Sequence, residues 1–266
     1  MTVIVGVRCQ DAVVLGADSM ATYATTSGQA TIKQQTGKLY VIGEEAVLGV
    51  SGSVGMAQNY SSELASKVKG TGGRMRYKNI SQATEDLTKA LWKHAGPSWE
   101  RAAVAARTIG QANAYREVAH DTLIALPVDD SPCLLGFSQQ CESVEYDANL
   151  PIASIGSGQP VADPFLAFIR RIFWPNSLPT LSEGILATVW ALTHTIQSQP
   201  AHVGEPIQVV TVSKDKKGQW RAQELPDRDL GEHRQNIKVM EDGMCREAKE
   251  AFSEKPTSPI PEKPSH

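Results

Sequence analysis

The order in which strand and helix patterns follow one another leaves few folds open to this chain. Alternating apolar residues predict a first hairpin over Val3–Val7 and Ala12–Ala17 and a second over Lys38–Ile42 and Ala46–Val50. Two helices, further strands, two more helices and a last strand then follow. A doubly wound parallel sheet needs regular alternation of strands and helices, which this order lacks. We therefore predict an α+β sandwich in which helix pairs cover stacked antiparallel sheets.

The remaining elements are predicted from the same patterns. Helical spacing indicates a helix within Ser53–Lys69 and a second helix capped by Ser81, interrupted at Gly96-Pro97 and continued in an Ala-rich stretch from Ser98 to about Asn113. The other predicted elements are a loop or weak strand pair at Thr22–Gly37, strands at Thr122–Pro127, Cys133–Phe137, Ser143–Tyr146 and Ile207–Ser213, and helices at about Pro160–Phe173 and Leu181–Gln197.

The regular pattern ends after Lys214. Asp215–Gly218 is a charged turn, Met240–Phe252 has the composition of a short helix, and the last 14 residues hold four prolines. We therefore predict one domain over residues 2–214, a C-terminal extension over 215–252 and a disordered tail over 253–266.

Composition excludes several classes of function. The 26 basic and 29 acidic side chains give a formal charge of −3 with no basic run, which argues against a nucleic-acid partner. The longest apolar stretch, Ile185–Ile196, is too short to span a bilayer and contains His194, so no membrane association is expected. No secretion signal, C-x-x-C pair or metal-ligand spacing of histidines is visible. These features predict a cytoplasmic protein with reduced cysteines and no metal.

The second residue carries the candidate chemistry. Methionine aminopeptidases remove Met1 when the next residue is small, and Thr2 would then hold a free α-amine beside its own hydroxyl. An α-amine has an unperturbed pKa of about 7.7 to 8.0, so it can accept a proton near neutral pH. One residue would thus supply both nucleophile and base. An acid, Asp18, follows a buried strand, and a lysine, Lys38, opens another.

Several motifs in register resemble one known family. Residues 2–18, TVIVGVRCQDAVVLGAD, resemble the start of a mature proteasome β subunit, and the peptidase of the bacterial two-component ATP-dependent protease is similar. Gly37–Tyr40 resembles the family's lysine-bearing strand, Val50–Val54 its glycine turn before the first long helix, and Ser154–Gly158 its Gly-Ser-Gly motif. The similarity runs from about Thr2 to Ser213. It favours a divergent bacterial proteasome homologue, because no propeptide precedes Thr2.

The resemblance implies a four-layer αββα sandwich of the N-terminal nucleophile hydrolase type and a threonine endopeptidase. Thr2 would attack the scissile carbonyl and form an ester that water hydrolyses. Lys38, paired with Asp18, would lower the proton affinity of the Thr2 site. Ser157 would orient the α-amine or its water, and the Gly52 N–H would stabilise the oxyanion.

The resemblance also implies the substrate and the assembly. Main-chain groups of Thr22 would bind an extended peptide, and Ala21, Val50 and Val54 would line a small to medium apolar specificity pocket. No cofactor is expected. The implied partners are unfolded polypeptides, further copies of the chain in a homo-oligomeric ring, and an ATP-dependent unfoldase.

One departure from the family pattern leaves alternatives open. The family usually carries an Asp and a Ser in the loop before the last strand, and in the matching segment Ser198–Pro206 both are absent from the corresponding positions. Their loss would lower activity or shift the network onto Ser198 or His202. A non-catalytic ring or scaffold subunit is therefore one alternative, which retention of Met1 would favour. A small-molecule amidase of the same superfamily is another, which turnover of simple amides without peptide cleavage would favour.

Overall fold

Two five-stranded antiparallel sheets form the centre of the protein. The computed structural model describes residues 2–24, 30–110, 114–200 and 203–253. The first sheet has the strand order β10-β1-β2-β11-β12, the second has the order β5-β6-β7-β8-β9, and β3 pairs with β4 in a separate ribbon. The strands are β1 Ile4–Arg8, β2 Ala12–Asp18, β3 Met20–Ala24, β4 Ala30–Gln35, β5 Leu39–Ile42, β6 Ala46–Val50, β7 Thr122–Val128, β8 Ser131–Phe137, β9 Ser143–Tyr146, β10 Ile152–Ile155, β11 Ile207–Lys214 and β12 Trp220–Glu224.

Helices cover the outer face of each sheet. They are α1 Val54–Val68, α2 Ile80–Ile109, α3 Ala114–Val118, α4 Gln159–Phe173, α5 Leu181–Ser198 and α6 Asp227–Ser253. Among the described residues, none of the helices has the length and hydropathy needed to cross a bilayer.

Three apolar layers hold the sandwich together. Side chains such as Ile4, Leu15 and Leu123 fill the space between the two sheets. Tyr60 of α1 and Leu87 of α2 pack on the second sheet, while residues of α4 and α5 pack on the first. The layer order is therefore helix, sheet, sheet, helix, which confirms the predicted αββα sandwich.

Most predicted elements are confirmed, but α2 differs. The predicted interruption at Gly96-Pro97 is wrong, because a single 30-residue helix passes through Pro97. Proline removes one N–H donor, yet the burial of Ala95 and a hydrogen bond from Trp99 Nε1 to the Gln139 carbonyl (2.8 Å) hold the helix on its sheet.

The predicted cap of α2 is also wrong. Asn79, not Ser81, caps the helix, with its side chain accepting from the Gln82 N–H at 2.8 Å. Asparagine in the extended conformation before the first turn is as good a cap as serine. The helix ends at Ile109, and Asn113 lies outside the described residues.

Some elements are absent from the sequence interpretation or longer than it indicates. Strand β10 was not predicted, and neither was β12, which continues the first sheet beyond Lys214. The short helix predicted over Met240–Phe252 is the second half of the 27-residue α6, whose Leu230 and Ile237 are buried. Such sparse apolar spacing in a charged segment gives a weak helical signal.

Of the predicted disordered tail, residues 254–266 lie outside the described part of the chain. The Thr22–Gly37 segment contains the strand pair β3–β4, one of the two structures foreseen.

Candidate active site

Thr2 lies just before β1 and is 7% exposed. Its nitrogen donates to Ser157 Oγ at 3.0 Å, and its carbonyl oxygen accepts from the Gly158 N–H at 3.1 Å and from Ser157 Oγ at 3.3 Å. At Gly156 an added Cβ would lie 2.4 Å from the Thr2 carbonyl oxygen, so no larger residue fits there. The turn from Gly156 to Gly158, between β10 and α4, therefore fixes the main chain of Thr2.

Asp18, at the end of β2, is completely buried and accepts four hydrogen bonds. Its Oδ1 accepts from Lys38 Nζ at 2.6 Å and from the Val3 N–H at 2.9 Å. Its Oδ2 accepts from the N–H groups of Met20 at 3.1 Å and Gly204 at 3.3 Å. The carboxylate thus joins the lysine-bearing strand and the loop before β11 to the residue that follows Thr2.

Lys38 is 6% exposed, just before β5. Its ammonium donates to Asp18 and, at 2.8 Å, to the Met20 carbonyl. Burial lowers the pKa of Lys38, and the negative charge of Asp18 offsets part of that decrease.

Gly52 forms the turn that enters α1. Its φ is +103°, and an added Cβ would lie 2.6 Å from the Ala119 carbonyl oxygen, so the position requires glycine. The preceding residue is held by two hydrogen bonds: the Ser51 N–H donates to the Asp121 carbonyl at 2.9 Å, and the Asp121 N–H donates to Ser51 Oγ at 3.1 Å.

Two cavities meet at Thr2. Both are lined by Thr2 and Gly52. The first, about 70 Å³, is otherwise bounded mainly by Ala21, Thr36, Gly37, Lys38, Tyr40, Val50, Ser53, Val54 and Ala57. The second, about 230 Å³, is bounded by Ser51, Ala119, His120, Asp121, Gly156 and Ser157. A larger cavity of about 410 Å³ beside Trp220 shares none of these residues.

His120 supports the wall of the second cavity. It is 4% exposed, with Nε2 2.6 Å from the Tyr60 hydroxyl and Nδ1 2.8 Å from the Val118 carbonyl. A carbonyl can only accept, so Nδ1 carries a proton and donates to Val118.

The structure brings together the five residues predicted to act in catalysis, and it places Ala21, Val50 and Val54 around the smaller cavity. Thr22 lies in β3 with its main chain paired to Lys33 of β4. The chemical roles of all these residues stay predictions. The loop before β11 contacts Asp18 through the main-chain N–H of Gly204. His202, in the same loop, lies outside the described residues.

Sequence reasoning missed the residues that reach the site from the start of β7. His120 and Asp121 lie almost 120 positions from Thr2, and no motif of the sequence marks them. Within the described ranges, no cluster of three or more His, Cys, Asp or Glu side chains is arranged to hold a metal ion.

The αββα sandwich is of the N-terminal nucleophile hydrolase type, with a threonine just before the first strand. More specifically, this chain belongs to the proteasome subunit family, whose family model matches residues 2–171. A comparison with curated protein sequences gives no significant match.

Solved structures of one bacterial protein share the fold. A Gly-1 mutant of Anbu from Hyphomicrobium sp. strain MC1 is 19% identical, with a TM-score of 0.65 over 98% of this chain and all of that one. Another structure of Anbu from the same strain is 18% identical, with a TM-score of 0.64 over 97% of this chain and all of the other. A structure described as the helical assembly of the Anbu complex from Pseudomonas aeruginosa is 16% identical, with a TM-score of 0.65 and coverage of 98% and 100%.

Proposed function

We propose that this protein is a self-compartmentalising threonine endopeptidase whose nucleophile is Thr2 after removal of Met1. The observation that carries the proposal is the hydrogen bond between the Thr2 nitrogen and Ser157 Oγ, 3.0 Å long, at the point where two cavities meet. A substrate that crosses this point has its scissile carbonyl beside the Thr2 hydroxyl.

The proposed reaction needs only groups that surround Thr2. The Thr2 hydroxyl attacks the carbonyl carbon and gives its proton to the α-amine of the same residue. The Gly52 N–H donates to the oxygen that gains the charge, since the glycine turn allows close approach. The protonated amine passes its proton to the leaving nitrogen, the C–N bond breaks, and an ester to Thr2 remains. Water then hydrolyses this ester.

Lys38 and Ser157 tune the base in this proposal. The Lys38 ammonium, held by Asp18 at 2.6 Å, places a positive charge beside the smaller cavity. A nearby cation disfavours protonation of the α-amine and so keeps more of it in the basic form at neutral pH. Ser157, which contacts both the nitrogen and the carbonyl of Thr2, orients that amine.

The acyl part of the substrate is proposed to enter the smaller cavity. Its walls of Ala21, Val50 and Val54 suit a small apolar side chain. Unfolded polypeptides in the cytoplasm are the proposed substrates, bound as extended strands beside β3. No organic cofactor takes part in the proposed reaction.

Assembly of several copies into a ring is part of the same proposal. Phe168, Ile172 and Phe173 of α4 are each more than one third exposed, which provides an apolar surface for association. A structural relative from Pseudomonas aeruginosa is described as a helical assembly. Enclosed sites would admit only unfolded chains, delivered by an ATP-dependent unfoldase.

A scaffold subunit without turnover is the second candidate. The observation that favours it is the loop before β11, where Asp18 receives a main-chain N–H from Gly204 and the family's acid and serine are missing. Without them, the α-amine has fewer groups to hold it.

Cleavage of unstructured peptides by processed protein tests the proposal. We expect wild type to cleave, Thr2→Ser to retain part of the activity because hydroxyl and amine remain, and Thr2→Ala to be inactive. Thr108→Ala, an exposed change on α2, is the matched control and should behave as wild type. Cleavage by Thr2→Ala at the wild-type rate would refute the proposal, and assembly without cleavage by wild type would favour the scaffold.

A further inference from the structure

The larger of the two cavities at Thr2 is lined by an acidic residue, Asp121, that the proposed chemistry does not use. Asp121 immediately precedes β7, and its main chain is fixed to Ser51 through the pair of hydrogen bonds at 2.9 and 3.1 Å. Ser51 is adjacent to Gly52. Asp121 is therefore held in a fixed position relative to the proposed oxyanion site.

The Asp121 carboxylate forms no ion pair with any residue that the structure describes. Its neighbour His120 contacts the Tyr60 hydroxyl and the Val118 carbonyl. Burial raises the pKa of Asp121, and the charge of His120 offsets part of that rise. A positively charged group that enters this cavity would supply the missing partner.

A second acid, Asp163, acts on the same tyrosine as Asp121. Asp163 hydrogen-bonds to the Ser154 hydroxyl and the Gln159 amide. The pKa of Tyr146 is raised by burial and further by the charges of Asp163 and Asp121, so both carboxylates act on the same phenol.

The two cavities differ in the sign of the charged residue that lines them. Lys38 lines the smaller one, whose other walls are largely apolar, whereas Asp121 lines the larger one. If the acyl part of a substrate occupies the apolar cavity, the leaving part extends into the acidic one. Like charge disfavours a basic side chain next to Lys38, and opposite charge favours it next to Asp121.

We propose that Asp121 is a specificity-determining residue that selects peptides with a lysine or arginine directly after the scissile bond. The inference rests on the proposed function, since it assigns the two cavities to the two sides of that bond. At about 230 Å³, the acidic cavity is smaller than the roughly 300–1,000 Å³ typical of ligand pockets, which suits one side chain.

Peptides that differ only at the residue after the cleaved bond test this inference. The three probes carry lysine, its uncharged isostere norleucine, or glutamate at that position. We expect wild type to prefer lysine over norleucine by about tenfold in kcat/KM. This factor lies between the effect of an exposed charge pair and that of a buried one. Asp121→Asn should abolish the preference, and Asp121→Lys should favour the glutamate peptide. Asp11→Asn, which removes an exposed acid in the first hairpin turn, is the matched control.

Labelling with a peptide epoxyketone separates the possible failures. This reagent occupies only the acyl side, so formation of the Thr2 adduct by Asp121→Asn shows that the variant is folded and has a reactive Thr2. If wild type forms the adduct but cleaves the lysine and norleucine peptides equally, the inference is overturned while the proposed function stands. A preference for lysine that survives in Asp121→Asn would have the same consequence. Absence of both adduct and cleavage would overturn the proposed function and this inference with it.

Discussion

Replacing Asp18 with asparagine would keep the shape of the side chain and remove its charge from beside the Lys38 ammonium. The carboxylate is fully buried and accepts four hydrogen bonds, two at each oxygen. Where one carboxylate oxygen of Asp18 accepts two hydrogen bonds, the amide nitrogen of asparagine would face the same donors and could not accept from them. Removing one member of a buried ion pair costs about 3–5 kcal/mol, and we expect Asp18→Asn to lie in this range.

The partner change should cost less. Lys38→Met leaves the Asp18 carboxylate with three main-chain N–H donors, from Val3, Met20 and Gly204, so we expect about 3 kcal/mol. In the double variant no buried charge of the pair remains. Its cost should therefore be about 4 kcal/mol, at least about 2 kcal/mol less than the sum of the two single changes.

Urea unfolding followed by circular dichroism measures these free energies, at one fixed protein concentration because assembly adds to apparent stability. The double variant should fold yet form no epoxyketone adduct, since the cation proposed to tune the α-amine is gone. The reasoning would be refuted if each single change cost less than about 1 kcal/mol and the two costs added up to that of the double variant. The two groups would then not interact as a buried pair.

Three further outcomes follow from other parts of the structure. Gly52→Ala should lose adduct formation and about 1–3 kcal/mol of stability in urea unfolding, because its positive φ and the close Ala119 carbonyl exclude a Cβ; wild-type labelling would contradict this. Iodoacetamide at pH 8 should modify the exposed Cys245 and leave Cys9 intact in peptide maps, because burial raises the pKa of Cys9 to about 12; equal modification would contradict it. Leu230→Ala should cost about 2–5 kcal/mol in the same unfolding assay, because Leu230 is buried where α6 packs on the first sheet's helices; an unchanged midpoint would mean that α6 is not docked.

The centre of the sandwich was predictable because its strands repeat with period two. The first hairpin places Val3 and Val5 on one face and Ile4 on the other, and the structure buries these two faces against α5 and the second sheet, respectively. Asp18 was identifiable because an acid directly after a fully apolar strand needs a partner, and the resemblance to the proteasome β subunit supplied Lys38.

Tertiary contacts decide what local patterns missed. Pro97 is a helix breaker by local rules, yet packing of α2 on its sheet and the Trp99 hydrogen bond carry the helix past it. Strand β12 follows a charged turn and is held by pairing with β11. Asp121 shares a cavity with Thr2 only through the fold, since its anchor is Ser51, 70 positions away in the chain.

The central claim is that Thr2 acts as nucleophile and base together, and a peptide epoxyketone tests both because it reacts with the hydroxyl and the free amine of an N-terminal threonine. Intact mass and peptide mapping would be recorded before and after exposure to the reagent. The account predicts a chain that starts at Thr2 and gains one adduct on that residue. A chain that retains Met1, or a free Thr2 that stays unmodified by reagents of several peptide sequences, would contradict the account and favour the scaffold subunit.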